Sequence, residues 1–172
     1  MKKYWSLMIL PFVVAVGSVI ASLSLPKDSL LSPSQVNAQT DCPTKFAASD
    51  GFIYWTSGDN LFGATLSKNR VMGQGRTVNT GGWCKANLAV SNGFLYWNDA
   101  NGDDHLHGVR INGLTWNTNS HRVVNTGGWR GVKFAVDSGT LYWAEAGELN
   151  RVAVRDLNWF ANTHRIVNNG GW

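Results

Sequence analysis

One pattern, Arg-x-Val-Asn-x-Gly-Gly-Trp, occurs three times and constrains everything else in the chain. It runs from Arg76 to Trp83, from Arg122 to Trp129 and from Arg165 to Trp172. Successive tryptophans are spaced by 46 and then 43 residues. Self-similarity at such a spacing marks a repeat architecture, in which each unit buries its apolar face only against a neighbour. Counting back from each Gly-Gly-Trp gives repeats of about 41–83, 84–129 and 130–172.

Within each repeat the apolar residues alternate with polar ones and are bounded by Gly, Asn and Asp, the signal for half-buried strands. The first strand is Lys45-Phe-Ala-Ala, Asn87-Leu-Ala-Val or Lys133-Phe-Ala-Val. An aromatic second strand carries Tyr54-Trp55, Tyr96-Trp97 or Tyr142-Trp143. The third strand spans Leu61 to Leu66, Leu106 to Ile111 or Leu149 to Val154, and the fourth is the Arg-x-Val-Asn motif itself. Helix-forming patterns are nearly absent. The expected fold is all-β, three four-stranded units of the kind that build propeller blades. Repeat 2 is longer by three residues before its third strand, where Asn98-Asp99-Ala-Asn101-Gly-Asp103-Asp104-His105 stands in place of the five residues of repeats 1 and 3.

Residues 1–38 read differently. A basic Met1-Lys2-Lys3 precedes an apolar run from Leu7 to Leu23, and Val36-Asn37-Ala38 supplies a small-x-small cleavage pattern. That is the form of a secretory signal peptide, which leaves 39–172 as the repeat domain. The competing reading is an uncleaved membrane anchor, since the run approaches the ~20 residues that span a bilayer. The expected location is secreted or extracytoplasmic, with no stable membrane insertion after cleavage. Without the leader the formal charge falls from +4 to +2, because Lys2, Lys3, Lys27 and Asp28 leave with it. The remaining basic residues are scattered, so no nucleic-acid footprint is present.

Propellers close with four or more blades, and three are visible. If each end face exposed ~500 Å² of apolar surface, covering it would contribute about 12 kcal/mol before association costs. Self-association is therefore expected, most simply a two-fold dimer with six blades.

The segment Gly-Gly-Trp129-x-x-Val132-Lys133-Phe134, with Gly139-x-Leu-Tyr142 and Asn158-Trp159 after it, resembles the repeat of tachylectin-type lectins. Phe134 to Trp143, followed by Arg151-Val-Ala-Val154, is also similar to YWTD-type propellers. Both resemblances cover essentially all of 41–172, and Gly-Gly-Trp is the more specific signal. The first implies a non-catalytic carbohydrate-binding protein whose partners are glycans or glycoproteins held between blades. The second implies a propeller that mediates protein–protein interaction.

Candidate site residues follow from the motif. Trp83, Trp129 and Trp172 offer faces for sugar stacking, or wedge between neighbouring units. Arg76, Arg122 and Arg165, with Asn79, Asn125 and Asn168, offer hydrogen bonds to sugar hydroxyls. Alternatively the arginines pair with carboxylates and the asparagines sit in tight turns. Trp116 and Trp159 fall in less regular segments, where binding roles concentrate. Asp99-x-Asn101-x-Asp103 has oxygen ligands at a spacing calcium can use, and His105 with His107 alternates at a strand start. Neither completes a recognised metal motif, and no metal or cofactor is expected. His121 and His164 occupy equivalent places, which suggests a repeat role. No nucleophile–base arrangement or phosphate loop emerges, so no enzyme is expected. Cys42 and Cys84 in an exported chain favour a disulfide, within the chain or between copies.

Overall fold

The computed structural model describes residues 42–68, 70–98 and 102–170. They form three antiparallel sheets, one per repeat, and contain no α-helix among the described residues. The first sheet has β1 (Phe46–Ser49), β2 (Phe52–Ser57), β3 (Asn60–Ser67) and β4 (Arg70–Thr80) in sequential order. The second has β5 (Asn87–Ser91), β6 (Phe94–Asn98) and β7 (His105–Asn112), then a fourth strand split into β8 (Thr115–Trp116) and β9 (Arg122–Thr126). Both pieces pair with β7, and a 3-10 turn at Thr118–Ser120 lies between them. The third sheet has β10 (Lys133–Asp137), β11 (Thr140–Glu145), β12 (Glu148–Arg155) and β13 (Asn158–Asn168).

Register shows that the repeats are superimposable in detail. Tyr54, Tyr96 and Tyr142 pair across the ladder with Gly63, Gly108 and Arg151. Val71, Trp116 and Trp159 pair with Leu66, Ile111 and Val154. Trp159 thus lies inside a regular strand and Trp116 in a short one, contrary to the expectation of irregular segments.

The sheets pack through their faces, with β5 lying beside both β1 and β10. The tyrosine face of one sheet meets the tryptophan face of the next. One core joins Tyr54 and Leu61 to Leu88, Trp97 and Val109; the other joins Tyr96 and Leu106 to Leu141, Trp143 and Val152. Close approach requires glycine on the tyrosine face. A Cβ on Gly63 would stand 2.7 Å from a Leu114 methyl, and one on Gly108 would stand 2.5 Å from a Leu157 methyl. Cys42 and Cys84 are joined within the chain, their Cα atoms 4.6 Å apart, inside the span that a disulfide bridges.

Candidate functional site: clefts between the sheets

Each junction has two ends. The Gly-Gly-Trp turns lie at one, together with the loops between second and third strands. The other carries the tight hairpin turns.

The Gly-Gly-Trp end is filled. Gly81 and Gly82 both take left-handed φ (84° and 82°), as do Gly127 and Gly128 (74° and 79°), and only glycine adopts two in succession without cost. The turn is held from the neighbouring loop. Asp59 accepts from the Gly81 and Gly82 amides through its carbonyl and carboxylate. Asp104 accepts from Gly128 and Arg130 at 2.9 and 2.8 Å, which holds its carboxyl below the usual range. Each turn then drives a tryptophan between sheets, leaving Trp83 2% and Trp129 4% exposed.

The two seats match closely. Trp83 lies 5.3 Å from Trp97 and 5.8 Å, edge-on, from Trp116; Trp129 lies 5.7 Å from Trp143 and 5.8 Å, edge-on, from Trp159. The indole N–H donates to Asn79 in one and Asn125 in the other, at 3.0 and 2.8 Å. Those asparagines therefore neither form a turn nor face outward. Asn168 does sit in a turn, its side chain accepting from Gly170 at 2.8 Å, while Trp172 lies outside the described residues.

Histidines complete the seats. His121 stacks on Trp97 and meets His107, which reaches Asp103 at 2.7 Å on its other side. Burial pushes the His121 pKa down, reinforced by His107. His164 stacks on Trp143 and meets Asn150 at 2.9 Å, the repeat role that the sequence suggests. At this end of the second junction a space of about 100 Å³ is bounded by Trp129, Trp143, Trp159, Asn125 and Glu145.

Among the described residues Arg76, Arg122 and Arg165 form no ion pair and no cation–π contact with these rings. All three are exposed, and Arg165 donates only to the carbonyls of Asn162 and His164. The structure thus joins Trp83 with Trp116 and Asn79, and Trp129 with Trp159 and Asn125, and leaves the arginines apart. Asp99 and Asn101 lie outside the described residues. Among those described, no three His, Cys, Asp or Glu side chains gather as a metal site.

The hairpin end is open instead. A cleft of about 310 Å³ lies between the first and second sheets, and one of about 290 Å³ between the second and third. They are lined by the same repeat positions. Ser49, Asp50, Phe52 and Tyr54 on one side of the first correspond to Ser91, Asn92, Phe94 and Tyr96 of the second. Facing them, Val90, Asn92 and Gly93 correspond to Val136, Ser138 and Gly139.

The floor of each is a tyrosine whose hydroxyl is buried. Tyr54 donates to the Gly113 carbonyl at 2.6 Å. Burial, with Asp50 nearby, pushes its pKa up to about 12; burial, with Asp156, does the same for Tyr96. Half-buried Phe52 and Phe94 form the wall. Arg110 lies 5.2 Å above the Phe94 ring and 3.6 Å from Asp156. In the sequence this end shows only as Asp50-Gly51, Asn92-Gly93 and Ser138-Gly139, whose glycines each stand three residues before the tyrosine of the second strand.

Neither a family model nor a curated protein matches the chain.

Proposed function

We propose that this is an exported, non-catalytic carbohydrate-binding protein of propeller type, with its sites between neighbouring sheets. The observation that carries the reading is the pair of position-equivalent clefts at the hairpin end. Each is large enough for one pyranose and combines an aromatic ring with short hydroxyl, carboxylate or amide side chains. Rings take the C–H face of a sugar, and the short polar groups take its hydroxyls. Each cleft has a single carboxylate, Asp50 or Asp156, whereas glycoside hydrolysis generally uses two. Equivalent weak sites on one rigid body give avidity on a multivalent surface. The disulfide fits an oxidising compartment, and no helix of the described residues is long and apolar enough to cross a membrane.

Self-association belongs to the same proposal. Phe46 is 73% exposed, whereas Leu88 at the same position of the second sheet is 9% exposed. Val71 and Met72, at the place where the other sheets carry Trp116 and Trp159, are exposed too. A second copy covering this face would bury them. Because Arg151 replaces the glycine of Gly63 and Gly108, that join is not a copy of the internal ones.

Titrating the protein with free monosaccharides at millimolar concentration, followed by amide chemical shifts, tests the main reading. Shifts clustered at residues 49–54 and 91–96 are expected. Absence of any response across N-acetylated and neutral hexoses would rule it out. Light scattering tests the assembly, and a dimer is expected.

A further inference from the structure

The two clefts are not isolated. Between them, across the end of the second sheet, lies a third cavity of about 400 Å³. It shares Asn92, Gly93, Ile111 and Asn112 with the first cleft, and Asn92, Phe94 and Asp156 with the second. Asn92 lines all three. The three cavities are therefore neighbours that share walls, and together they lie along the hairpin end of the three sheets.

We infer that these cavities form a track that binds a linear oligosaccharide as three consecutive units, one in each cavity, rather than isolated terminal sugars. The inference rests on the carbohydrate reading above and assigns its ligand class.

Three features point to a chain. The outer subsites are related by the internal repeat, so each presents a serine, a phenylalanine and a tyrosine at equivalent positions, as a polymer of repeating units would meet them. Packed sheets lie about 10 Å apart, roughly the advance of two pyranose units in an extended chain, which places one unit over the middle cavity. The walls also exclude the commonest way of reading an extended peptide, pairing with a free strand edge. They are hairpin turns, and the turn carbonyls of Gly51, Gly93 and Gly139 already accept from Leu66, Ile111 and Val154. Recognition falls to side chains: Asp50, Asn92 and Ser138 at the turn tips, Phe52 as a ring platform, and Phe94 with Arg110 over one of its faces.

The middle subsite is the distinct one. Arg110 lies over the Phe94 ring there and reaches toward Asp156, so a central sugar would meet guanidinium donors instead of that ring face.

The test is a chain-length series. The protein is titrated by calorimetry with β-1,4-linked N-acetylglucosamine oligomers of one to five units, and in parallel with the β-1,4-linked glucose series. In one series at least, affinity should rise by about tenfold or more from monomer to trimer and then level off. Asn92→Gly keeps the left-handed turn, since Asn92 has φ 52° and glycine tolerates it. It should lower trimer affinity far more than monomer affinity. Phe94→Ala should flatten the length dependence while the Phe52 cleft still takes a monomer.

Equal affinity for monomer and trimer overturns the track and leaves separate sugar sites standing. No binding in either series, with the monosaccharides above also silent, overturns both readings. Tighter binding of an unglycosylated polyproline peptide than of either trimer would reassign the groove to protein.

Discussion

The two ends of the sheet junctions use aromatic residues in opposite ways. At the Gly-Gly-Trp end three tryptophans per junction interlock, beside a space of about 100 Å³ at the second junction. At the hairpin end one phenylalanine per junction stands beside a space of about 300 Å³. Aromatic density thus marks packing, and the sparser end holds the ligand-sized space. The reason is geometric. A tryptophan can serve as a wedge only when both its faces are covered, and a covered face stacks on no sugar.

Substitutions should separate the ends. Trp129→Ala is expected to cost about 3–5 kcal/mol in urea unfolding, with sugar affinity of the folded protein unchanged. A comparable loss of affinity would break the division. Replacing Cys42 and Cys84 together by serine should cost about 2–4 kcal/mol, and reductant should reproduce that shift in the wild type only. Asn125→Leu strands the Trp129 indole N–H, and a loss of about 1–3 kcal/mol is expected. If it proved neutral, the indole bond would be incidental to the seat. Phe94→Ala should reverse the pattern, costing about 1 kcal/mol of stability for a half-buried ring while lowering trisaccharide affinity tenfold or more.

The smallest effect is a pH response. Tyr54 and Tyr96 keep their protons up to about pH 12 in the fold, whereas unfolded tyrosine ionises near ~10. Their contribution is therefore complete below pH ~10 and is lost as pH rises toward 12. Thermal melts between pH 9 and 12 should show the loss, and Tyr54→Phe with Tyr96→Phe should blunt it.

The all-β character and the three sheets of four strands are legible in the sequence, because both follow from alternation and from one recurring motif. The disulfide was half legible: the redox argument favoured it, but only the fold brings residues 42 and 84 together. Trp83, Trp129, Asn79 and Asn125, which the motif points to, lie at the Gly-Gly-Trp end, whereas the clefts of about 300 Å³ open at the other. Gly-Gly-Trp is conspicuous because a double left-handed turn and a large wedge tolerate few residues, and that restriction comes from packing. Asp50, Asn92 and Ser138 differ in side chain while keeping the same backbone conformation (φ 55°, 52° and 46°). A search for identical letters passes over them. Trp97 and Trp143, central to the seats, were visible only as part of a common strand dipeptide.

Asn98 shows how narrow a chemical margin the second junction allows. Fully buried, its amide nitrogen donates to the carbonyls of Trp129 and Val132 at 2.7 and 2.8 Å, while its oxygen accepts from Asn87. Hydrolysis of that amide to an acid would leave size and shape almost untouched. It would also turn a donor toward two carbonyls into a negative oxygen facing them. The linker from the second repeat to the third is thus fastened by a group that could distinguish amide from acid, which makes the junction sensitive to a form of chemical ageing as well as to mutation.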